Sequence, residues 1–409
     1  MIEFGKVRDY QTEHQRINRL SLELRKIRPP MVTSWEEPAD WLVKSENLGG
    51  DRVKAVNITL TPTGCEWAST GGCTMCGEYE GSTKSRLVSA EFHVAQFASA
   101  VGKYVFRHNP EWIRIYQEGN YLNPREVSTD AQLTILQLAS LVKGVRRVTV
   151  ECMAKMVNRA GAENLANAVA PGVQLEVGIG FEAENDVVRN ICVNKGEEIS
   201  HYERAIQILK ARGIQTLAYV LLKPAFLSEG EGIEECVETV KKALGLGFDA
   251  VSIEPVSIHP YTLVHALHLK DLYQPPWLWS LVEVARRSPP SRDLRLGGVE
   301  YYPRPIGVAY NRHPDGTDGC NREFWTAIKS YNETRDLREL ENLKCSCHAD
   351  WEHTLEEVEK PLKERMALAL SAVTIGEYIS SSRKPDLDGS VALPDALSAV
   401  GGSQFVREQ

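Results

Sequence analysis

Short apolar runs alternate with amphipathic stretches along the chain from about residue 51 to residue 290. The runs are rich in β-branched residues and have the length of buried strands, whereas the stretches between them repeat apolar positions at helical spacing. Strands are predicted at Val53–Leu60, Trp112–Tyr116, Val145–Glu151, Val173–Phe181, Gln215–Leu222 and Ala250–Glu254. Helices are predicted at 89–103, 129–143, 161–169, 200–212 and 231–246. This alternation predicts an α/β fold with a parallel sheet, as a partial (β/α)6 barrel; a doubly wound sheet would give a similar pattern.

The two ends of the chain lack this rhythm. A charged helix is predicted over 9–28 and ends before Pro29, and an irregular segment is expected over 31–50. A further helix is predicted over 352–374. The predicted divisions are an N-terminal helical lead-in over 1–50, the barrel over 51–290, a C-terminal extension over 291–382 and a tail over 383–409. Because the tail is rich in Ser, Gly, Ala and Asp, we expect it to be disordered.

Composition narrows the class of protein. Hydrophobic residues make up 43% of the chain and charged residues 25%, as in an ordinary globular protein. No apolar run is long enough to span a bilayer, and the first residues lack the apolar core of a secretory signal, so a cytoplasmic location is expected. The net charge of -8 provides no overall attraction to nucleic acid, although it leaves room for a local basic groove.

The nine cysteines are unevenly distributed, with three between residues 65 and 76 and three between residues 320 and 347. A disulfide framework is not expected in a reducing compartment or in a chain of this length. Clustered cysteines in such a chain typically bind metal or carry out redox chemistry. The isolated Cys236 lies on a predicted amphipathic helix, where burial is the expected role.

The first cysteine group, Cys65, Cys73 and Cys76, follows the first predicted strand with the spacing C-x7-C-x2-C. Three thiolates can hold three irons of a [4Fe–4S] cluster and leave the fourth iron open to the amino and carboxylate groups of S-adenosylmethionine (SAM). Electron transfer to SAM would then release a 5′-deoxyadenosyl radical. A structural zinc site needs four ligands, and no fourth Cys or His lies nearby in the sequence. Zinc and metal-free buried thiols remain the alternatives.

The run Gly71–Gly77, Gly-Gly-Cys-Thr-Met-Cys-Gly, resembles the radical SAM proteins that include the radical subunit of archaeosine synthase and its bacterial relatives. That group shares the long first gap between cysteines, in place of the commoner C-x3-C-x2-C. Further similar segments are Asn123–Glu126, Gly178–Glu182, Asn194–Gly196, Leu221–Glu229 and Pro275–Trp279. The resemblance extends over roughly residues 50–350. It implies the partial barrel and SAM chemistry, but does not fix the substrate.

Side chains that follow the strands of a parallel barrel are candidates for the active site. The predicted cofactor-binding residues are Glu118, Gly119, Glu151, Glu182 and Lys223. Glu118 and Gly119 occupy the place where radical SAM proteins bind the methionine amine. The carboxylates of Glu151 and Glu182 can accept hydrogen bonds from ribose hydroxyls or the SAM amine, or can instead pair with a lysine.

Four further residues follow the later strands. Lys223 lies in an apolar stretch and needs a partner, which can be a carboxylate of SAM or of the substrate. Glu254, His259 and Tyr261 follow the sixth strand, where they either line a substrate pocket or, in the case of the histidine, serve the structure.

The second cysteine group comprises Cys320, Cys345 and Cys347, the last two separated by one residue. In extended backbone the thiols of Cys345 and Cys347 point to the same side. An auxiliary [4Fe–4S] cluster is the preferred interpretation. The alternatives are a zinc site with His348 as the fourth ligand, or no metal.

Three functions are compatible with these features. The first is a radical SAM enzyme that abstracts hydrogen from a nucleoside-like small molecule, with an external electron donor of the flavodoxin or ferredoxin type. Its auxiliary cluster would donate sulfur, as in a sulfur transferase or lyase, transfer electrons, or be structural. The second is a tRNA deazaguanine modification enzyme of the archaeosine type, disfavoured by the acidic charge and the lack of a recognisable RNA-binding module. The third is a zinc-stabilised binding protein without catalysis.

Overall fold

A computed structural model describes residues 4–29, 35–61, 63–77, 88–291, 293–297, 305–313, 319–356 and 360–382. The strands are β1 (Asp40–Leu48), β2 (Asp51–Thr59), β3 (Trp112–Tyr116), β4 (Arg147–Cys152), β5 (Gln174–Glu182), β6 (Gln215–Leu222), β7 (Ala250–Pro255) and β8 (Leu294–Leu296). The helices are α1 (Gln11–Lys26), α2 (Ala90–Ala100), α3 (Phe106–His108), α4 (Thr129–Leu141), α5 (Arg159–Ala168), α6 (Ile199–Lys210), α7 (Glu229–Leu246), α8 (Leu263–His268), α9 (Leu278–Arg287), α10 (Asn321–Thr334), α11 (Cys347–Glu356), α12 (Leu362–Ala372) and α13 (Ile375–Ser382). None of these helices has the length and apolar character needed to cross a membrane.

All eight strands form one sheet, and their order in space is their order in the chain. β1 pairs with β2 in the antiparallel sense, and every pairing from β2 to β8 is parallel. A doubly wound sheet would reverse its strand order near the middle. The consecutive order therefore excludes that alternative and favours the partial barrel. All six predicted strands are confirmed, and β8 adds a seventh parallel strand.

Apolar side chains explain why the predicted strands form. β5 is buried along nearly its whole length, and β6 and β7 are almost as completely buried. Strands of a parallel sheet covered by helices are expected to be apolar in this way. The surrounding helices α2, α4, α5, α6 and α7 pack in the same apolar core as the strands. The predicted burial of Cys236 on α7 is confirmed.

Two predictions at the ends of the chain are wrong. The segment 31–50, expected to be irregular, contains β1, whose residues are mostly half-exposed and therefore do not form an apolar run. The single helix expected over 352–374 is two helices, α11 and α12. α12 begins directly after Pro361, which has no N–H to donate to a preceding turn. The tail predicted over 383–409 lies outside the described residues.

Charged side chains fill the barrel near the amino ends of its strands. Arg295 of β8 donates two hydrogen bonds to Glu176 of β5, at 2.7 and 3.0 Å. Burial favours the neutral acid, but the Arg295 guanidinium outweighs it and lowers the pKa of Glu176. The guanidinium of Arg114 lies 3.9 Å from the ring centre of Trp112 and pairs with Glu46 of β1 at 2.9 Å. Since these groups occupy this end, the carboxyl ends of the strands are the place to look for a site.

Candidate functional site at the carboxyl ends of the strands

The first cysteine group lies in the loop that follows β2, at the carboxyl end of the barrel. We call residues 63–77 the cysteine loop. Its backbone conformation favours glycine at three positions, since φ is 105° at Gly64, 154° at Gly71 and 73° at Gly72. A Cβ atom on Gly72 would lie 2.8 Å from the Cα of Ala68. The loop is fixed to the rest of the barrel by Thr74, whose N–H donates to the carbonyl of Val193 at 2.9 Å.

The three cysteines of the cysteine loop are partly exposed, and the thiols of Cys65 and Cys73 have raised pKa values. Burial of the sulfur raises the pKa of Cys65 to about 12, and the carboxylate of Glu126 acts in the same direction. Burial also raises the pKa of Cys73. Burial disfavours the charged thiolate. A metal ion offsets this penalty, because it binds cysteine in the deprotonated form and neutralises its charge. Three cysteines with glycines on both sides can therefore hold an iron–sulfur cluster.

A buried carboxylate, Glu126, joins the cysteine loop to the segment after β3. It is 3% exposed and accepts five hydrogen bonds. The donors are the backbone N–H groups of Glu66 and Asn120 and the side-chain amides of Gln117, Asn120 and Asn123, at 2.5–3.0 Å. Asn120 in turn directs its amide towards the sulfur of Cys65 at 3.8 Å. Sequence reasoning did not assign Glu126 to the site, although the similar segment Asn123–Glu126 pointed to it.

Helix α1 lies against the cysteine loop from the other side. Asn194 connects the two, because its amide donates to the carbonyl of Gly72 at 2.7 Å and to Asn18 of α1 at 2.9 Å. His14 of α1 bonds to the amide oxygen of the same Asn194 at 2.9 Å. Near the end of α1, Arg25 donates to the carbonyl of Cys73 at 2.8 Å. The predicted lead-in is thus part of the support of the cysteine loop.

The predicted residues Glu118 and Gly119 lie directly beside the cysteine loop. Glu118 is buried and has φ 60°. A Cβ atom on Gly119 would lie 2.3 Å from a carboxylate oxygen of Glu126 and 3.4 Å from the Cα of Cys65, so only glycine fits between them. Glu151, at the end of β4, is half-buried, and its carbonyl accepts a hydrogen bond from the N–H of Tyr121 at 2.9 Å.

Glu182 and Lys223 are each paired with another residue of the chain. Glu182 accepts a hydrogen bond from the ammonium of Lys195 at 2.7 Å. Burial acts to lower the pKa of Lys195, but the charge of Glu182 raises that pKa well above its usual value. The ammonium of Lys223 donates a hydrogen bond to Glu229 at 2.7 Å. Burial acts to raise the pKa of Glu229, but the charge of Lys223 outweighs it, so the pKa is lowered. The alternative noted for Glu182, pairing with a lysine, is therefore present, and a SAM contact stays a prediction for both residues.

The three residues predicted to follow the sixth strand, which is β7 in the structure, take different places, and Glu254 lies within the strand. His259 packs against the cysteine loop, where a Cβ atom on Gly77 would lie 2.4 Å from the Cβ of His259. Burial, assisted by the charge of Arg28, lowers the pKa of His259 to about 4, so the imidazole is neutral. Glu254 lies in the barrel and accepts from Ser252 at 2.6 Å. The backbone N–H of Tyr261 donates to the hydroxyl of Tyr378, away from the barrel.

The second cysteine group is brought together by the fold, with a histidine that sequence reasoning missed. Cys320, Cys345, Cys347 and His313 place one ligand atom each within 4.8 Å of one another. Among the residues that the structure describes, no other group of His, Cys, Asp and Glu comes as close together. The group can hold a metal ion.

His348, the fourth ligand in the zinc alternative considered from the sequence, is not part of this group. Cys347 begins α11, so the next side chain turns away along the helix. His348 faces Glu352, one helical turn later, at 3.4 Å, and packs on the ring of Trp279. His313 was missed because it precedes the cysteines in an irregular segment with no pattern that marks it.

Two curated archaeal proteins with the name archaeosine synthase subunit beta are similar to the chain. The protein from Thermococcus kodakarensis is 31% identical over 317 residues, which span 76% of this chain and 94% of the relative. The protein from Methanosarcina acetivorans is 28% identical over 342 residues, spanning 83% of this chain and 96% of the relative. No family model matches the chain.

Solved structures with a related arrangement are more distant. Methylornithine synthase aligns over 84% of this chain and 84% of its own, with 12% identity and a TM-score of 0.41. A radical S-adenosylmethionine methyltransferase from Kitasatospora setae, bound to tryptophan and a SAM analogue, aligns over 51% of this chain and 38% of its own. That alignment has 18% identity and a TM-score of 0.35.

Proposed function

Since the chain belongs to the radical SAM family of the archaeosine synthase beta subunit, we propose that Cys65, Cys73 and Cys76 hold a [4Fe–4S] cluster that serves SAM cleavage. The observation that carries this proposal is the position of the cysteine loop, which leaves β2 at the carboxyl end of the barrel. When bound, such a cluster supplies the electron that cleaves SAM to methionine and a 5′-deoxyadenosyl radical. An external donor of the flavodoxin or ferredoxin type would provide that electron.

The residues around the cysteine loop position SAM in this proposal. Glu118 and Gly119 follow β3, with Gly119 beside Cys65, and Glu151 lies at the end of β4; a carboxylate at these strand ends can accept from the SAM amine or ribose. Glu182 and Lys223 retain capacity beyond their ion pairs, because a carboxylate has two oxygens and an ammonium has three donors. Lys195 and Glu229 hold these two side chains in place.

We infer that hydrogen is abstracted from a nucleoside with a deazaguanine-type base. The support is the name of the relatives, archaeosine synthase subunit beta, whose length the chain covers almost completely. Their name as subunits also supports a partner chain. Similarity to these relatives favours a base carried in tRNA over a free nucleoside, although the acidic net charge does not favour nucleic acid. Sulfur insertion would require a sulfide-containing second cluster, so it depends on the nature of the second cysteine group.

SAM cleavage is tested with anaerobically purified protein, reconstituted with iron and sulfide and supplied with dithionite. The chain should form 5′-deoxyadenosine, and Cys73→Ala should abolish that formation. Cys236→Ala is the matched control, since Cys236 is buried on α7 among apolar side chains of the core. Unchanged 5′-deoxyadenosine formation by Cys73→Ala would remove the basis of the proposal.

The substrate is tested separately, with deuterium at the substituent of the deazaguanine base. Transfer of deuterium into 5′-deoxyadenosine from modified tRNA, but not from the free nucleoside, is the expected result. Binding of that tRNA should weaken steeply with salt, because tRNA contacts release counterions. Transfer from the free nucleoside alone would assign a small-molecule substrate, and absence of transfer from either would exclude this base.

A further inference from the structure

The geometry points to a second metal centre of a different kind: we propose that His313, Cys320, Cys345 and Cys347 bind a single Zn²⁺ ion. The site lies outside the barrel, where α10 and α11 begin. It takes no part in the proposed SAM cleavage, and it replaces the auxiliary cluster expected from the sequence.

The distances between the ligand atoms match one tetrahedral ion. With Zn–S bonds of about 2.3 Å and Zn–N bonds of about 2.0 Å, tetrahedral ligands lie roughly 3.5–3.8 Å from each other. The sulfurs of Cys320 and Cys347 are 3.8 Å apart. The Nε2 atom of His313 is 3.7 Å from the sulfur of Cys320 and 4.0 Å from that of Cys345. Three thiolates and one imidazole are a common structural zinc ligand set.

A [4Fe–4S] cluster would separate the same sulfurs further. Each cysteine of a cubane binds a different iron, so the thiolate sulfurs lie on the order of 6 Å from each other. All four ligand atoms of this group lie within 4.8 Å of one another. A cluster would therefore have to push the cysteines apart, whereas a single ion would not.

The surroundings of the sulfurs are those of metal-bound thiolates. The indole N–H of Trp279 points at the sulfur of Cys347 at 3.4 Å, and the amide of Asn311 donates to the sulfur of Cys320 at 3.2 Å. Such outer donors stabilise the negative charge of a thiolate ligand. Gly319 lets the imidazole approach, since a Cβ atom there would lie 2.1 Å from Nε2 of His313.

The ion would fix α10 across the open side of the sheet. α10 begins at Asn321, directly after Cys320. Near its other end, the side-chain amide of Asn332 accepts a hydrogen bond from the N–H of Leu296 in β8 at 2.9 Å and donates one to the carbonyl of Leu296 at 2.7 Å. The carbonyl of the next residue, Glu333, accepts from Asn47 of β1 at 3.1 Å. The helix thus bridges the two edge strands of the sheet. The metal ties the start of this bridge to α11.

The full chain is purified anaerobically, reconstituted with iron and sulfide, treated with EDTA and analysed for metals. We expect about four irons and about one zinc per chain, and no fall in zinc when Cys73→Ala removes the iron. Replacement of zinc by Co²⁺ should give the visible absorption of a tetrahedral thiolate site. These wild-type measurements do not depend on any variant of the second group.

Three variants then assign the ligands. His313→Ala should lose zinc to EDTA and keep its iron, His313→Cys should keep both metals, and Cys236→Ala should behave as the wild type. About eight irons without zinc would overturn the proposal in favour of a second cluster. A wild-type chain with neither metal at the group, or with a Cys320–Cys347 disulfide, would overturn it as well.

Discussion

The two cysteine groups of this chain differ in how closely the fold draws their ligands together. The cysteine loop spreads three thiols over a glycine-rich segment, and these thiols do not form a close group with any fourth His, Cys, Asp or Glu of the described residues. The second group gathers three sulfurs and an imidazole within 4.8 Å. A wide, incomplete set suits a cluster with an open iron, whereas a compact, complete set suits one closed ion.

This difference shows that the number and spacing of cysteines in the sequence do not determine which metal a site binds. Both groups contain three cysteines and include a close pair, Cys73 with Cys76 and Cys345 with Cys347. What separates them is the histidine added from a distant segment and the closer approach of the side-chain N–H donors to the sulfurs, at 3.2 and 3.4 Å in the second group and 3.8 Å in the first. Closed coordination leaves no position for a substrate, so only the cysteine loop is placed to perform chemistry.

Exposure to air should separate the two centres most strongly. Iron of the proposed cluster is open to oxidation, whereas zinc has no redox chemistry. We therefore expect complete loss of 5′-deoxyadenosine formation and of the iron–sulfur absorption, with zinc content and far-ultraviolet circular dichroism unchanged. Parallel loss of zinc and iron would break the distinction between the centres.

Replacing Glu126 by Gln should damage only the cysteine loop. The new amide would face donors that Glu126 now satisfies, at a cost of about 3 kcal/mol of unfolding free energy. SAM cleavage should fall by about 10²-fold, because the cysteines are no longer held in place. Thermal unfolding, iron content and 5′-deoxyadenosine formation measure these effects. Glu203→Gln, exposed on α6, is the control, and zinc loss from the Glu126 variant would count against a local effect.

Replacing Asn194 should loosen α1 from the cysteine loop. Asn194→Ala removes hydrogen bonds to α1 and to Gly72, and we expect a loss of about 2 kcal/mol with a lower yield of reconstituted iron. Asn194 has φ 61°, a conformation that glycine adopts without strain. Asn194→Gly therefore distinguishes the two causes: if it behaves as the wild type, backbone strain and not the amide explains the alanine variant.

The smallest effect is expected at the α10 bridge. Asn332→Ala removes two hydrogen bonds to the edge of β8, so the unfolding free energy should fall by about 1–2 kcal/mol. Iron and zinc contents should both stay at the wild-type level, as judged by metal analysis. Lys329→Ala, exposed on the same helix, provides the control. An equal loss of stability in both variants would show that helix propensity and not the bridge is responsible.

The sequence predicted those parts of the fold that depend on local apolar pattern. β3 and β6 have the predicted bounds, because each is an apolar run between clear breaks. β1 escaped prediction because six of its nine residues are only half-buried. β8 has three residues, and its Arg295 pairs not only with the adjacent Asp293 but also with Glu176, which is distant in the chain. Partners so far apart leave no local signal.

The candidate site, like the fold, was predictable only where its residues lie close together in the sequence. The cysteine loop was visible because its ligands and glycines lie within one short segment. Glu126 carried only an indirect signal, because its role is defined by donors from two segments, the cysteine loop and the residues that follow β3. His313 and His348 show the limit: the histidine adjacent to Cys347 points to Glu352, and the distant one joins the cysteines.

The packing of α1 has a consequence for how the chain is made. α1 and the cysteine loop leave the ribosome early, but α1 also contacts α8, α12 and α13, which are made late. The hydrophobic contacts of Ile17 and Leu24 belong to the same cluster as Met366 and Tyr378. Until α12 and α13 emerge, α1 lacks these apolar contacts, and the cysteine loop that α1 supports is held less firmly. The last helices of the described fold therefore complete the packing of α1 against the loop.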